Sequence, residues 1–305
     1  MRLAALHRLC ASCPFSVHIA LRQRPLIMPH NPSSYYQRSA APRPQCTALH
    51  GDVSCDVAVV GAGITGLSAA LHLRERGYQV VVLEGAEIGA GASGRSGGQV
   101  LAGFACGVAT LRQHLAGSDV RRLWEMSREA VQLTRDLIAR HAIACDWRDG
   151  HVDVAVKPRQ RRELADMADT LARECGDRSL ELLDGAALAR EVSSRRYCAG
   201  LYDRDSGHVH PLNYTLGLGH AALAAGASIH EHTPVLAMEV GKDVSLVTAG
   251  GRVRAAHVIL AQNTGRPVLD ARLRAKIMPV GTYIAATEPL GAARARSLVP
   301  GDASV

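Results

Sequence analysis

The sequence predicts an α/β fold that starts with a Rossmann-like parallel sheet and continues into a mixed, partly antiparallel region. A glycine-rich turn, "VVGAGITGLSAA" at 59–70, stands between an apolar run and a helical pattern. Helix and strand patterns alternate early in the chain, and a meander of strand patterns comes late. With 305 residues, 47% of them hydrophobic and 4% aromatic, the chain can build one large or two medium domains around an aliphatic core.

Residues 1–50 are expected to form an irregular leader, because they are rich in Pro, Arg and Ser and lack sustained periodicity. The leader has the Arg-rich, acid-free composition of a mitochondrial transit peptide, but His7 and the prolines interrupt a helix. Met28 is an alternative start, under which residues 1–27 would not be translated. Six arginines before residue 50 supply all but one of the net charge of +7. No basic face with interleaved aromatics follows, so nucleic-acid binding is not expected.

The eight cysteines have no framework spacing and lie mostly in apolar segments, which is typical of a reducing compartment. We therefore expect a cytoplasmic protein. The one close pair, Cys10 and Cys13, has no second pair or histidine pair beside it, so no zinc or redox site is predicted. No uninterrupted apolar run approaches the roughly 18 residues that cross a bilayer. The excess of Arg over Lys and the abundant Ala are typical of a GC-rich bacterial genome.

The first regular elements form a βαβ unit of about 30 residues. "VSCDVAVVG" at 53–61 is a short, nearly continuous apolar run, as expected for a parallel strand covered on both faces. "ITGLSAALHLRERG" at 64–77 has apolar residues at helical spacing and a glycine stop. "YQVVVLE" at 78–84 is a second buried strand, which ends on Glu84.

The later elements follow a Gly- and Ser-rich segment at 85–103 that is too biased for a regular element throughout. The predicted helices are 118–141 with Ser118 or Asp119 as N-cap, 158–175 opened by Pro158, 184–192, and one within 207–226 closed by Gly226. The predicted strands are 151–157, 228–240, 243–250, 252–263 and 276–288, with a tight turn "AGGR" at 249–252.

The glycine turn has the pattern GxGxxG between a strand and a helix, and each glycine has a mechanical role. Gly61 permits the tight turn, Gly63 lets the backbone approach a pyrophosphate, and Gly66 lets the helix pack on the strand. The helix N-terminus offers unpaired N–H groups to phosphates. Glu84 is placed to accept hydrogen bonds from a ribose diol, so the unit predicts a dinucleotide site.

Three dinucleotides fit a GxGxxG turn, and the neighbouring residues rank them. Glu84 disfavours NADP, because a carboxylate repels its 2′-phosphate. The turn itself does not separate FAD from NAD. An NAD dehydrogenase usually continues with further βα units, whereas this chain runs into "GAGASGRSGGQ" at 89–99, a second loop that lets backbone amides approach a long ligand. FAD is therefore favoured, although this loop could also be an exposed linker, and Arg95 within it either binds phosphate or is solvated.

The chain resembles the D-amino acid oxidase family of FAD-dependent oxidoreductases, and within it the gamma-glutamylputrescine oxidoreductase-like branch. The stretches that carry the resemblance are "SYYQRSA", "CDVAVVGAGITGLSAALHLRERGYQVVVLE", "GASGRSGGQ", "GHVHPLNYTLGLGHAALAAGASIHE", "RVRAAHVILAQN" and "MPVGTYIAATEPL". The resemblance implies a glutathione-reductase-like FAD-binding domain, discontinuous over 51–150 and 207–265. It also implies a partial substrate-binding domain over 151–206 and 266–305, whose sheet is incomplete.

The resemblance also implies roles for individual residues. Those expected to hold the ADP part are Gly61, Ala62, Gly63, Ile64, Gly66 and Glu84, with Val235 as the adenine contact. Those expected along the pyrophosphate, ribityl chain and flavin ring are Ala92, Ser93, Arg95, Gly98 and Gln99. Ser96 stands where Asn is common in the family, which shortens one polar side chain near the flavin. Tyr283 is a substrate-side candidate, with an ordinary sheet residue as the alternative.

The implied activity is oxidation of the C–N bond of a small-molecule amine or amino acid, with hydride transfer to the flavin. No catalytic residue is predicted, and His208 and His210 are expected to be turn residues rather than metal ligands. Family members continue beyond the point that matches Val305, so the alternative is a non-catalytic, truncated dinucleotide-binding fragment. An NAD-linked dehydrogenase is a more distant alternative. The sequence specifies neither the amine, the electron acceptor nor the oligomeric state.

Overall fold

A computed structural model describes residues 34–264 and 275–305, and the elements given below belong to one compact unit, Tyr35–Val305. The expectations for Cys10, Cys13 and Met28 lie outside the described residues. The helices are α1 Tyr35–Arg38, α2 Ile64–Glu75, α3 Gly107–His114, α4 Gly117–Arg140, α5 Pro158–Thr170, α6 Gly185–Glu191, α7 Pro211–Ala224 and α8 Ala292–Leu298. The strands are β1 Val53–Val60, β2 Val80–Leu83, β3 Gln99–Val100, β4 Arg148–Ala155, β5 Leu180–Leu183, β6 Ala199–His208, β7 Ser228–His230, β8 Ala237–Val240, β9 Val244–Val247 and β10 Arg252–Leu260. A 3₁₀ turn, Ala92–Gly94, and a π-helical turn, Leu171–Cys175, complete the list.

The larger sheet, called sheet A, has the strand order β7–β2–β1–β10–β9–β8. Neighbours among β7, β2, β1 and β10 are parallel, and β9 and β8 continue the sheet antiparallel. Val60 at the end of β1 pairs with Leu83 of β2 and with Leu260 of β10. The carboxyl ends of these three strands therefore lie side by side, and the chain leaves each of them at the same edge of the sheet.

The central strand β1 is buried on both faces. Val57 and Val59 belong to the core cluster that includes residues of α2 and α7. Ala58 and Val60 belong to the cluster on the opposite face, which includes Leu246 of β9. A strand covered on two sides needs apolar residues at consecutive positions, and this explains its unbroken apolar run.

The smaller sheet, called sheet B, is antiparallel and centres on β6. β3, β4 and β5 each pair with β6. The sequence did not predict β5 or β6, because β6 carries the charged run Asp203, Arg204 and Asp205. Asp203 is nevertheless buried, since Arg128 of α4 donates to its carboxylate oxygens at 2.9 Å and 2.7 Å. The α/β fold class is confirmed, with sheet A mixed and sheet B antiparallel.

Helix α4 is confirmed, but its predicted N-cap is wrong. The helix begins at Gly117 with Ala116 at the N-cap and no side-chain cap. Ser118 and Asp119 lie inside the first turn, because the N–H of Asp119 already bonds to the Ala116 carbonyl at 3.0 Å. Asp119 then places a carboxylate near the positive end of the helix dipole. No described helix combines the length and the apolar character needed to cross a membrane.

The strand predicted over 276–288 is wrong, because residues 277–287 have no regular structure. This segment is exposed, with Met278 at 81% and Tyr283 at 96% of their full accessibility. An alternating sequence forms a strand only where a neighbouring backbone completes its hydrogen bonds, and no described strand lies beside this segment. The strand predicted over 228–240 is two short strands, β7 and β8, separated by the irregular residues 231–236, which include Pro234.

The stretch that contains α1 is fixed to the start of α7 by a chain of hydrogen bonds. His210 is the N-cap of α7, and its Nδ1 accepts from the N–H of Asn213 at 3.1 Å. Nε2 therefore carries the ring proton and donates to Ser39 Oγ at 3.0 Å. Burial lowers the pKa of His210. His208 instead donates to the Asp302 carbonyl at 2.9 Å, so the two histidines have separate structural partners.

Several cysteines pack as small hydrophobic side chains. Cys145 is 1% exposed, and burial raises the pKa of its thiol to about 11. Burial likewise raises the pKa of Cys46 and of Cys55 to about 11. These thiols stay protonated at neutral pH and are poor nucleophiles.

Candidate functional site

The glycine turn joins β1 to α2 at the edge where the parallel strands end. Gly61 has a φ of +107°, and a Cβ there would lie 2.8 Å from the Ala261 carbonyl oxygen. A Cβ on Gly66 would overlap the carbonyl oxygen of Gly61. Two glycines are thus required by the packing of α2 and β10 against the turn.

The N-terminus of α2 opens without a side-chain cap or an acidic residue in its first turn. Ser93 Oγ accepts from the N–H of Ile64 at 3.0 Å. The N–H groups of Gly63 and Thr65 have no hydrogen-bond partner within the described residues. These two donors, together with the helix dipole, form a place where an anion can bind.

Glu84 is held against the glycine turn by its side chain and its backbone. Its Oε2 accepts from the N–H of Ala62 at 2.7 Å, and its Oε1 accepts from the N–H of Ala86 at 2.9 Å. Its backbone N–H donates to the His230 carbonyl at 2.9 Å, and its carbonyl accepts from Thr233 at 2.7 Å. Because a carboxylate has about four lone-pair positions, Glu84 can still accept from ligand hydroxyls.

The Gly- and Ser-rich loop lies over the turn and is hydrogen-bonded to it. The N–H of Gly89 donates to the Ala62 carbonyl at 3.1 Å. The 3₁₀ turn Ala92–Gly94 then brings Ser93 to the start of α2. A Cβ on Gly63 would lie 2.7 Å from Ser93 Oγ, so the loop and the turn are in close contact.

Together these elements enclose a cavity of about 560 Å³, a volume typical of ligand sites. The predicted residues that line it are Gly61, Ala62, Gly63, Glu84, Ala92, Ser93 and Val235. The predicted residues that do not line it are Ile64, Gly66, Arg95, Gly98, Gln99 and Tyr283. Five of the residues predicted for the ADP part thus share one cavity with Ala92 and Ser93, whereas Arg95, Gly98, Gln99 and Tyr283 lie outside it.

The residues outside the cavity have different surroundings. Arg95 is half-buried, and its guanidinium makes no hydrogen bond or ion pair with any described side chain. Gly98 has a φ of +78°, and its carbonyl accepts from the N–H of Val209 at 3.0 Å. Gln99 pairs with His208 between β3 and β6. Tyr283 lies in the exposed segment described above.

Val235 is 4% exposed, and its backbone faces the cavity without competition from the rest of the chain. Neither its N–H nor its carbonyl has a hydrogen-bond partner among the residues that the structure describes. The next N–H, of Leu236, is used in a bond to the Val247 carbonyl at 2.8 Å. Val235 therefore has one unpaired donor and one unpaired acceptor in its backbone, and the residue lines the cavity.

Among the lining residues that sequence reasoning missed, three have polar side chains: Thr65, Gln262 and Asn263. Thr65 contributes an unpaired N–H, as described above. Gln262 has a buried Nε2 with no hydrogen-bond partner. The available signal was the position of "AQN" directly after β10, because ligands bind at the carboxyl ends of parallel strands.

A second cavity, of about 1090 Å³, lies beside α4 and contains a charged cluster. Arg128 donates to Asp177 at 2.7 Å, to Asp203 and to the hydroxyl of Ser179 at 2.6 Å. Burial would raise the pKa of Asp177, but hydrogen bonds from Ser179 and the charge of Arg128 hold that pKa below its ordinary value. The guanidinium is satisfied within the protein, so this cluster stabilises the contact between α4 and sheet B.

The glycine turn, the acid beside it and the cavity over a parallel sheet define a dinucleotide-binding α/β protein. The model of the FAD dependent oxidoreductase (DAO) family matches residues 56–304. The chain belongs to this family, whose cofactor is FAD, and the resemblance stated from the sequence is confirmed.

Two bacterial relatives are similar over most of the chain. A probable oxidoreductase, OrdL, of Haemophilus influenzae is 39% identical over 277 residues, which cover 89% of this chain. The gamma-glutamylputrescine oxidoreductase of Escherichia coli is 39% identical over 275 residues, which cover 90% of this chain. The chain spans 64% of the length of each of these relatives.

Solved structures show the same fold at lower identity. The L-amino acid deaminase of Proteus myxofaciens is 24% identical with a TM-score of 0.61, covering 72% of this chain and 48% of that one. The glycine oxidase of Geobacillus kaustophilus is 23% identical with a TM-score of 0.56, covering 70% of this chain and 56% of that one.

The residues present fit the ADP half of FAD. The glycines let α2, β10 and the Ser93 loop close onto the turn, and the N–H groups of Gly63 and Thr65, two lining residues, are unpaired within the described residues. Within the same residues the buried Nε2 of Gln262 also lacks a partner.

Proposed function

We propose that the chain binds FAD through the cavity at the glycine turn and serves an oxidoreductase that oxidises a C–N bond of an amine or amino acid. Gamma-glutamylputrescine is the first substrate to test, because a relative at 39% identity bears that name. The observation that carries the proposal is the Glu84 carboxylate at 2.7 Å from the Ala62 N–H, beside the unpaired N–H groups of Gly63 and Thr65. An acceptor for a sugar and donors for phosphates thus line one cavity.

In this proposal the backbone of Val235 binds the adenine and Glu84 accepts from the ribose. The donors at Gly63 and Thr65 bind the diphosphate. Further residues proposed to support the ADP part and the pyrophosphate are Ala62, Ile64, Gly66, Ala92, Ser93 and Arg95. Gly98 and Gln99 are proposed on the flavin side.

FAD supplies the redox chemistry when it is bound, because it accepts a hydride from the carbon that bears the amine. The duties left to the chain are to orient the cofactor and to exclude water from it. The domain division is part of the proposal: 51–150 and 207–265 bind the cofactor, and 151–206 and 266–305 contribute to the substrate side. No catalytic side chain is assigned.

The test is to reconstitute the purified chain with FAD and then to add amines without oxygen. We expect flavin absorbance that stays with the protein after gel filtration and that bleaches with gamma-glutamylputrescine or another small amine. A chain that retains no flavin would refute the proposal. Turnover that depends on a nicotinamide without bound flavin would instead support an NAD-linked dehydrogenase.

Gly63→Ala tests whether the turn is the cofactor site. Gly63 has an ordinary φ of −86°, so alanine adopts the same backbone, but its Cβ would lie 2.7 Å from Ser93 Oγ and would fill the space next to the unpaired N–H groups. We expect FAD affinity to fall by about tenfold or more, together with some loss of stability, because Ser93 Oγ must move away from the Ile64 N–H that it accepts from. Gly117→Ala is the matched control, because nothing lies within 4 Å of a Cβ there. Equal affinities of the two variants would place the cofactor elsewhere.

The second candidate function is nucleotide binding without turnover. Tyr283, the one substrate-side candidate, is 96% exposed and lies outside the cavity, and this favours the second candidate. It predicts bound FAD that no amine bleaches but that dithionite still reduces. Bleaching by any amine at a rate faster than that of free FAD would exclude it.

A further inference from the structure

Gln262 carries a buried polar atom that the protein leaves without a partner. Within the described residues its Nε2 has no hydrogen-bond partner, and the residue lines the cavity. Buried donors are nearly always paired, because an unpaired one loses its bond to water and gains nothing in return. An unpaired donor in the wall of a cavity gains a hydrogen bond if the side chain turns toward a ligand that is bound there.

The position of the Gln262 backbone identifies the part of the site to which the residue belongs. A Cβ on Gly61 would lie 3.1 Å from the Gln262 Cα, so the backbone of Gln262 lies against the glycine turn. The N–H of Ala261, just before it, donates to the Val60 carbonyl at 2.8 Å and fixes this contact. Since β1 lies between β2 and β10, Glu84 and Gln262 flank the turn from opposite sides.

We propose that the Gln262 carboxamide donates a hydrogen bond to a diphosphate oxygen of the bound dinucleotide. This inference rests on the proposed function. The two flanking side chains have complementary chemistry: a carboxylate accepts from sugar hydroxyls, and an amide N–H donates to phosphate oxygens, which only accept. The donor adds to the N–H groups of Gly63 and Thr65 from the other side of the turn.

Gln262→Met separates this role from a structural one, because Met keeps the length of the side chain and removes the donor. A structural amide would lower the melting temperature of the ligand-free chain when it is lost. An unpaired buried donor would leave that temperature unchanged or raise it. We expect an unchanged or higher melting temperature together with about tenfold weaker binding of FAD. Gln132→Met, at an exposed position of α4 whose amide bonds to Asp136, is the matched control.

The binding test uses isothermal titration of the full chain with FAD, ADP and adenosine. The affinities for FAD and ADP are expected to fall by the same factor in Gln262→Met. Adenosine is expected to bind this variant as it binds the unchanged chain. Gln262→Glu provides a second variant of the same side-chain length. Its negative charge should lower the affinity for ADP by more than tenfold and leave the affinity for adenosine unchanged.

Three results would overturn the inference. Equal ADP affinity in the unchanged chain and in Gln262→Met would mean that the amide makes no contact. If Gln262→Met loses as much affinity for adenosine as for ADP, the amide contacts the nucleoside and not the diphosphate. If the unchanged chain binds neither FAD nor ADP, the proposed function fails with it, and that outcome differs from the first two because they require a chain that binds.

Discussion

Replacing Glu84 with Gln should loosen the glycine turn and weaken FAD binding together. The carboxylate accepts from Ala62 at 2.7 Å and from Ala86 at 2.9 Å, one bond to each oxygen. An amide has one oxygen, so its NH₂ must face one of the two backbone N–H groups. The loss of one hydrogen bond to a charged group corresponds to about 2 kcal/mol of unfolding free energy. For this chain of 305 residues, that lowers the melting temperature by roughly 4 °C to 8 °C, nearer the lower value.

Thermal unfolding monitored by circular dichroism measures the first effect, and titration with FAD measures the second. Affinity should fall by about tenfold, because neutral hydrogen bonds to the ribose are weaker than charge-assisted ones. Glu129→Gln is the control, since the Glu129 side chain is 64% exposed and its ion pair with Arg122 contributes at most about 1 kcal/mol. If Glu84→Gln melts within 1 °C of this control, the carboxylate does not hold the turn, and the reasoning is refuted.

Two further predictions concern pH. Burial would raise the pKa of Asp177, but hydrogen bonds from Ser179 and the charge of Arg128 lower it in the folded chain. Asp177 therefore adds to the free energy of unfolding at any pH above its unfolded pKa of 3.8, and this stabilisation is lost as the pH falls through the folded pKa. Asp177→Asn should therefore cost about 2 kcal/mol at pH 7 in urea unfolding and progressively less below pH 4; a constant difference would contradict this. Burial lowers the pKa of His210 in the folded chain. The stabilisation by neutral His210 is therefore complete above its unfolded pKa of 6.5 and is lost as the pH falls below that value. His210→Asn, which keeps a capping acceptor, should flatten the decline in unfolding free energy below pH 6.5, and identical slopes would show that His210 does not titrate with unfolding.

The nucleotide end of the fold could be predicted from the sequence because its signals are local. The turn needs glycine at Gly61 and Gly66 for reasons of backbone geometry, and these residues stand within six positions of each other. Glu84 follows at the end of the next strand, and the structure puts it within a hydrogen bond of Ala62. The antiparallel pairing of β9 with β10 was predicted from a tight turn between two apolar runs.

Sheet B and part of the cavity could not be predicted, because long-range contacts decide them. β6 carries Asp203, whose buried charge is balanced by Arg128, 75 residues earlier in the chain. A sequence pattern shows the aspartate but not its partner, so the segment has the pattern of a loop. Gln262 is an intermediate case: its position directly after β10 indicates the ligand edge of the sheet, but its unpaired amide is evident only once the glycine turn packs against it.

The strand order of sheet A explains why residues so far apart in the sequence serve one ligand in the proposed arrangement. β2, β1 and β10 are consecutive neighbours, and Glu84, the glycine turn and Gln262 follow them in that order. Strands are spaced by about 4.8 Å, so these three positions extend over roughly 10 Å along one edge. Val235 reaches the cavity on the Glu84 side, because the N–H of Thr233, two residues before it, bonds to the Glu84 carbonyl at 2.7 Å. A base, a sugar and a diphosphate follow one another in the ADP half of FAD, and in the proposed arrangement they meet Val235, then Glu84, then the glycine turn with Gln262. Substitutions at Glu84 and at Gln262 should therefore weaken the binding of different fragments of the ligand.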